Sequence, residues 1–295
     1  MQDTRTQMNG HAAGPRSSLA KRNLQKFLSN KLALAGMAIV LLFVLGALLA
    51  PVLSSHNPSF VNPAIRFQPP SAEHWLGTDS IGRDVLTRLL YGGGISIFVG
   101  LAGALGASLI GVILGSVAGY FGGKMDSAIL YVSEIFMTFP TILLVIIMVG
   151  FSGRGLMNLI LIFAITGWTG SMRMVRGKVL SLREEAFVES CRANGIKSPS
   201  IMFRHLLPNT LGPVIVDITL LTGGYVLQES ALSFLGLGLD PSIPTWGNMI
   251  NAAKTLQIIQ NHPNLWLAPG IVICLFVLGV NFFGDGLRDV FDPTQ

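Results

Sequence analysis

Long apolar stretches set the first constraint on this chain. Six of them carry few charges, at about 32–53, 94–119, 127–149, 156–175, 209–237 and 265–284. A run of ~20 apolar residues crosses the hydrocarbon core of a bilayer as a helix, because a helix satisfies its own backbone where no water can. Charged residues make up only 12% of the 295 positions, about half the share of a soluble domain. The expected fold is therefore all-α, an integral membrane protein with six transmembrane helices. The first run is read as a span and not as a cleaved signal peptide. It is too long, and some thirty mostly polar residues precede it.

The formal net charge is +5. In a soluble protein that balance would raise nucleic acid as a partner. In a membrane chain it reports topology, because Lys and Arg stay in cytoplasmic loops. Fifteen of the 20 basic residues fall on one side of the six runs. They are Arg5, Arg16, Lys21, Arg22, Lys26 and Lys31 in the tail, Lys124, the group Arg173, Arg176, Lys178, Arg183, Arg192, Lys197 and Arg204, and Arg288. Arg66, Arg83, Arg88, Arg154 and Lys254 fall on the other. This places both termini in the cytoplasm and excludes nucleic acid as the reason for the charge.

Several chemistries lack their residues. Gly123-Lys124 is followed by Met125, without the context of a phosphate-binding loop, so no ATPase is expected in the chain itself. No Gly-x-Ser-x-Gly or His-Glu-x-x-His pattern marks a protease. The two cysteines, Cys191 and Cys274, give no disulfide framework. His56, His74 and His262 read as isolated, so no metal ligand set is expected, and no cofactor in this chain.

One polar stretch interrupts the oily pattern: "EEAFVESCRANGIKSPSIMFRHLLPN", residues 184–209. Glu184, Glu185 and Glu189 crowd a helix start, where the positive end of the dipole favours them. Ala186, Ser190 and Ala193 share one narrow face, bordered by Phe187 and Cys191. Asn194-Gly195 is a stop, since Gly adopts the left-handed conformation that follows a helix end. Ser198-Pro199 reads as N-cap and first residue of a second short helix over 200–207, and Pro208 opens the fifth span. An inert connector is the competing reading, but a connector needs only a few residues. An ordered helix pair with a small-residue face is expected to dock a partner.

Other features carry expectations of packing. Gly103, Ala107, Gly111, Gly115 and Gly119 recur every four residues in the second span, which lets membrane helices approach closely. Pro140 should kink the third. Glu134, Asp217 and Glu229 lie within spans, where a charge costs on the order of 2.5–3.5 kcal/mol on insertion scales. They line a translocation path or bond between helices, with Gly223-Gly224 loosening the helix between the latter two. Thr78-Asp79-Ser80 should cap a short helix over 81–91, and Trp246 and Trp266 should sit at interface depth. Leu24, Phe27, Leu28 and Lys31 suggest an amphipathic helix over 19–31 on the inner leaflet, with a solvated basic tail as the alternative.

The polar stretch resembles the cytoplasmic loop of ABC importer permeases. That loop has Glu-Ala-Ala, three residues, Gly, nine residues, then a hydrophobic-x-Leu-Pro ending. Here Glu189-Ser190-Cys191, three residues, Gly195 and nine residues lead to His205-Leu206-Leu207-Pro208. Ser190 and Cys191 replace the alanines, and His205 stands where an aliphatic residue is usual. The likeness extends over 74–293 through "HWLGTDSIGRDVLTRLLYG", "AGYFGGKMD", "FPTILL", "VRGKVLSLREEAFVESCRANG", "ESALSFLGLGL", "PTWGNMI" and "GDGLRDVFDP". These segments are similar to the C-type permease subunit of dipeptide/oligopeptide ABC importers, whose wider family includes nickel and glutathione systems.

The resemblance implies a type I ABC importer permease fold in the bacterial cytoplasmic (inner) membrane. It implies a cytoplasmic tail (1–31), a first transmembrane helix (32–53), an extracytoplasmic loop (54–93), a permease core (94–284) with a coupling loop (176–208), and a cytoplasmic C-terminus (285–295). Its coupling helix would present Glu185, Ala186, Phe187, Glu189, Ser190, Cys191, Arg192, Ala193, Gly195, Leu207 and Pro208 to an ATPase subunit. The implied partners are a homologous B-type permease subunit, two ABC ATPase subunits that bind ATP and Mg, an extracytoplasmic substrate-binding protein, a peptide substrate and membrane lipid. A self-contained secondary transporter or channel is the rival class. It should show inverted repeats with broken helices or a filter segment, and neither stands out.

Overall fold

Apolar runs and their caps account for the helices of the computed structural model, which describes residues 25–291. Helix α1 (Lys31–Leu48) starts at Asn30, whose side-chain oxygen accepts the Leu32 and Ala33 amides, each at 3.1 Å. Helix α2 is long, Val85–Phe121, and the bent pair α3 (Gly123–Thr138) and α4 (Thr141–Ser152) follows it. Then come α5 (Leu156–Leu182), the short α6 (Ala186–Ala193) and α7 (Leu211–Phe234). Short helices α8 (Trp246–Ala252) and α9 (Leu256–Asn261) lead into α10 (Asn264–Phe291). Five helical runs are long and apolar enough to cross a membrane, or six if α3 and α4 count as one span. Among the described residues there is no strand. The chain is an all-α, multi-pass membrane protein.

The second span departs from expectation at its start. The short helix over 81–91 is not separate. Its residues from Val85 onward are the first turns of α2, which runs unbroken to Phe121. The cap is Asp84, whose carboxylate accepts the Thr87 amide at 2.7 Å. Asp79 instead closes a tight turn, accepting the Ile81 and Arg83 amides at 3.0 Å and the Arg83 guanidinium at 2.7 Å.

Pro140 breaks the third span where a kink was expected. The axes of α3 and α4 differ by 87°. Phe139, just before the proline, is extended at φ −97° and ψ 139°, because the proline ring disfavours the helical region for its predecessor.

The glycine stripe packs α2 against α5, as its spacing predicts. A Cβ on Gly111 would lie 2.5 Å from the Ser171 Cβ, and one on Gly115 would lie 2.6 Å from the Met172 carbonyl. At Gly119 the nearest atom would be the Arg176 carbonyl at 2.9 Å. The helices meet backbone to backbone, which maximises dispersion contact where lipid gives no hydrophobic drive. Phe163 of α5 and Tyr225 of α7 stack at 4.7 Å beside this seam. Gly223 serves packing and not loosening: α7 is continuous through it, and a Cβ there would lie 3.1 Å from Val280 of α10.

The N-terminal span lies on the C-terminal one. Gly36 of α1 faces the Gly279 carbonyl of α10, where a Cβ would be 2.6 Å away. Residues 25–29 are helical, and the Phe27 ring meets Phe283 at 5.9 Å. Asn30 ends that turn, so Lys31 belongs to α1 and not to an interfacial helix over 19–31. Leu24 and the basic residues Arg5, Arg16, Lys21 and Arg22 lie outside the described residues. Trp246, expected among headgroups, is buried between α2, α7 and α10 against Phe43 and Phe276, and its indole donates to the Leu89 carbonyl at 3.0 Å.

Candidate functional site

The polar stretch folds as a helix whose apolar side is buried against the rest of the protomer. Val188 is fully buried against Val175, Val179, Ile201 and Leu206, with Cys191 half-buried at the margin. Ala186, Ser190 and Ala193 are exposed, as are Glu185, Glu189 and Arg192. Phe187 is 40% exposed beside them. A small-residue face flanked by one aromatic thus points away from the protomer. Arg192 lies over the Tyr120 ring at 5.6 Å, a cation–π contact tying the helix to the end of α2. Glu184 pairs with Arg183 at 2.9 Å and stays outside the helix, and Glu185 is its N-cap with extended backbone.

The stop at Gly195 is a full Schellman ending. Gly195 sits at φ +71°. The Ile196 amide donates to the Cys191 carbonyl at 3.1 Å and the Gly195 amide to the Arg192 carbonyl at 3.0 Å. The second helix differs from expectation. Lys197 is the N-cap and Ser198 the first helical residue, without a capping bond from its side chain. The chain then never leaves a helical path. A wide π turn at Ile201–Leu206 and a tight 3₁₀ turn at Leu207–Thr210 lead straight into α7, so Ser198–Phe234 is one run. Pro208 explains the irregularity, since it has no N–H and its ring clashes with the carbonyl four residues back. Side chains fill the gap: Asn209 donates to the His205 carbonyl at 2.7 Å and the Thr210 hydroxyl to the Leu207 carbonyl at 2.8 Å. Leu207 is half-buried and Pro208 exposed.

The three acids have three environments. Glu134 is exposed on α3. Asp217 is half-buried on α7, and its carboxylate accepts the Ser171 hydroxyl and, at 3.3 Å, the Ser108 hydroxyl. It borders two open grooves. One, of about 840 Å³, includes Met174, Lys178 and Arg288. The other, of about 1000 Å³, includes Thr141, Tyr225 and Gln228. Glu229 is fully buried and accepts hydroxyls from Ser233 at 2.8 Å and Ser96 at 3.2 Å. Its setting is that of a bond between helices, and its neighbour Gln228 is the side chain that reaches a groove. Sequence reasoning passed over Gln228, Lys178 and Arg288 as groove residues, because helical phase relative to neighbours decides which side chain faces out.

In the loop between α1 and α2, two histidines read as isolated are neighbours. The rings of His56 and His74 lie 5.0 Å apart, and His262 stacks on Phe67 at 4.4 Å.

Comparison with known proteins agrees with this architecture. Residues 111–295 match the family of binding-protein-dependent transport system inner membrane components. Residues 18–70 match the N-terminal transmembrane domain of oligopeptide transport permease C. A dipeptide transport system permease protein of Alkalihalophilus pseudofirmus is 46% identical over 266 residues, covering 90% of this chain and 87% of the relative. An oligopeptide transport system permease protein of Bacillus subtilis is 38% identical, covering 94% and 90%. A glutathione transport system permease protein of Pectobacterium atrosepticum is 37% identical, covering 91% and 89%.

Proposed function

The chain belongs to the family of binding-protein-dependent transport system inner membrane components, and on that premise we propose that it forms half of the pore of an ATP-driven importer of di- and oligopeptides. The dipeptide and oligopeptide relatives support this substrate class. The other half is a homologous B-type permease subunit. In support, the bent pair α3–α4 buries only Ser133, Val145 and Val149 within the protomer, leaving its apolar surface for a partner or lipid. An extracytoplasmic binding protein delivers the peptide. Two ABC ATPase subunits hold ATP and Mg and supply the energy. The chain lies in the bacterial cytoplasmic membrane with both termini inside.

One observation carries the coupling role: α6 is anchored through Val188 while Ala186, Ser190 and Ala193 stay open. A surface of small side chains lets a facing groove approach the backbone, with Phe187, Glu189 and Arg192 fixing register. Because 198–234 is one helical run, displacement of α6 and its neighbour Ile201 is transmitted to α7, where Asp217 and Gln228 face the grooves. Asp217 and Glu134 are the candidate acids for meeting a peptide's amine, and Glu229 stays inside the packing. This chain makes and breaks no covalent bond.

The test is docking. Ala186→Trp/Ser190→Trp fills the open face without touching Val188. The variant should assemble with the permease partner yet lose the ATPase subunits on size exclusion. Retention of both ATPase subunits at wild-type stoichiometry would remove the coupling role from α6. A glutathione importer is the second reading, favoured by the glutathione relative at 37% identity, and competition by glutathione against dipeptide separates the two.

A further inference from the structure

The loop between α1 and α2 brings three metal-competent side chains together. His56, Glu73 and His74 each place one ligand atom within 4.8 Å of the others. We propose that this cluster binds a divalent late first-row transition metal, with Zn²⁺ as the test case. The proposal does not depend on the transport reading, in which these residues have no part.

The support comes from what stands behind the ligands. The His74 ring is buried, and its Nδ1 lies 2.9 Å from an Asp84 carboxylate oxygen. A carboxylate at Nδ1 selects the tautomer protonated there and leaves the Nε2 lone pair for a metal, the usual support behind a ligating imidazole. Asp84 is itself oriented, because its other oxygen accepts the Thr87 amide at 2.7 Å and the Thr87 hydroxyl at 2.6 Å. The Thr87 hydroxyl also meets the Ser54 hydroxyl, which accepts the His56 amide at 3.3 Å. Both histidine segments are thereby pinned to the first turn of α2.

The donor set decides the class of ion. Two imidazoles and one carboxylate suit Zn²⁺, Cu²⁺ or Ni²⁺, whereas Ca²⁺ and Mg²⁺ take oxygen ligands. Tetrahedral Zn²⁺ places its ligand atoms about 3.3 Å apart, from Zn–N distances of about 2.0–2.1 Å. The adjustment falls on half-buried His56 and exposed Glu73, while buried His74 stays put. Exposure of Glu73 leaves the fourth position to water. A bound ion would clip the segment after α1 to the start of α2.

The experiment uses the full-length chain, copurified with its partner subunits through a tag free of histidine and stripped of metal. Zn²⁺ alone is titrated by calorimetry, and Zn²⁺ K-edge absorption reads its ligands. Wild type should bind one Zn²⁺ per permease chain more than His56→Ala/Glu73→Gln, or bind it at least about tenfold more tightly. Its absorption spectrum should show two imidazoles. Equal binding by the variant, no binding by wild type, or a spectrum without imidazole scattering would each overturn the proposal. If the double variant fails to assemble, His56→Gln and the wild-type spectrum decide the question alone.

Discussion

Gly111→Ala is the smallest change that tests the α2–α5 seam. The added Cβ would sit 2.5 Å from the Ser171 Cβ, 2.8 Å from the Met172 nitrogen and 2.9 Å from the Trp168 carbonyl. Ordinary contact begins at 3.4 Å, so the helices must part by roughly 0.9 Å, and two of the three obstacles are backbone that cannot rotate away. Overpacking of this kind costs about 1–3 kcal/mol. A second cost follows nearby. Ser108 of α2 and Ser171 of α5 both donate to Asp217, the first already at 3.3 Å. A separation of this size breaks the Ser108 bond, a further loss of about 0.5–1.5 kcal/mol. The sum is on the order of 2–4 kcal/mol. Gly170→Ala in α5 is the control, since nothing lies within 4 Å of its Cβ, and there alanine gains helix propensity of about 1 kcal/mol. Thermal unfolding of the purified chain in one detergent should lower Tm for Gly111→Ala by about 2–4 °C per kcal/mol, and leave Gly170→Ala at or above wild type. Equal Tm for the two variants would refute the close-packed seam.

Three further outcomes follow from local geometry. Gly195→Ala should destabilise the end of α6 by about 1–2 kcal/mol through its positive φ alone, since its Cβ meets nothing within 4 Å. Gly195→Asn should recover most of that, and proteolysis of the 194–197 turn reads the difference. Glu229→Ala should cost about 2–4 kcal/mol by orphaning the Ser96 and Ser233 hydroxyls. Glu229→Gln should stay within about 1 kcal/mol, with transport per folded complex unchanged. Arg176 forks onto Asp126, with the second bond at 2.6 Å, and joins α5 to the start of α3. A double-mutant cycle with Asp126→Asn should give a coupling of about 1 kcal/mol that shrinks in high salt.

The spans were legible because lipid demands one thing of a helix, a long apolar surface, and the runs supply it. The Gly103–Gly119 stripe was legible for the same reason: a period of four residues points to one helix face whatever the partner is. The helix at 186–193 announced its end through Asn194-Gly195, since a left-handed residue leaves a local mark. What escaped depended on distant partners. Thr78-Asp79-Ser80 reads as a cap on paper, but Asp84 takes that role, with His74 and Thr87 converging on its carboxylate. Pro140 gave the place of a bend but not its 87° angle, since a proline fixes its own φ and not the course of the chain on either side. His56 and His74 looked isolated because loop folding, not periodicity, brings them together. Glu229 and Asp217 are similar acids in one helix and both accept hydroxyls, and only the packing of the neighbouring helices buries the first and leaves the second beside open grooves.

On the proposed function, ATP hydrolysis inside the cell moves peptide through a pore that this chain helps to form. The most direct measurement is uptake of a labelled dipeptide into proteoliposomes holding the full assembly, with binding protein outside and ATP inside, beside Gly195→Pro. Uptake should require both ATP and binding protein, and the variant should lose it along with ATPase docking. Uptake by this chain alone, or full uptake by Gly195→Pro, would contradict it.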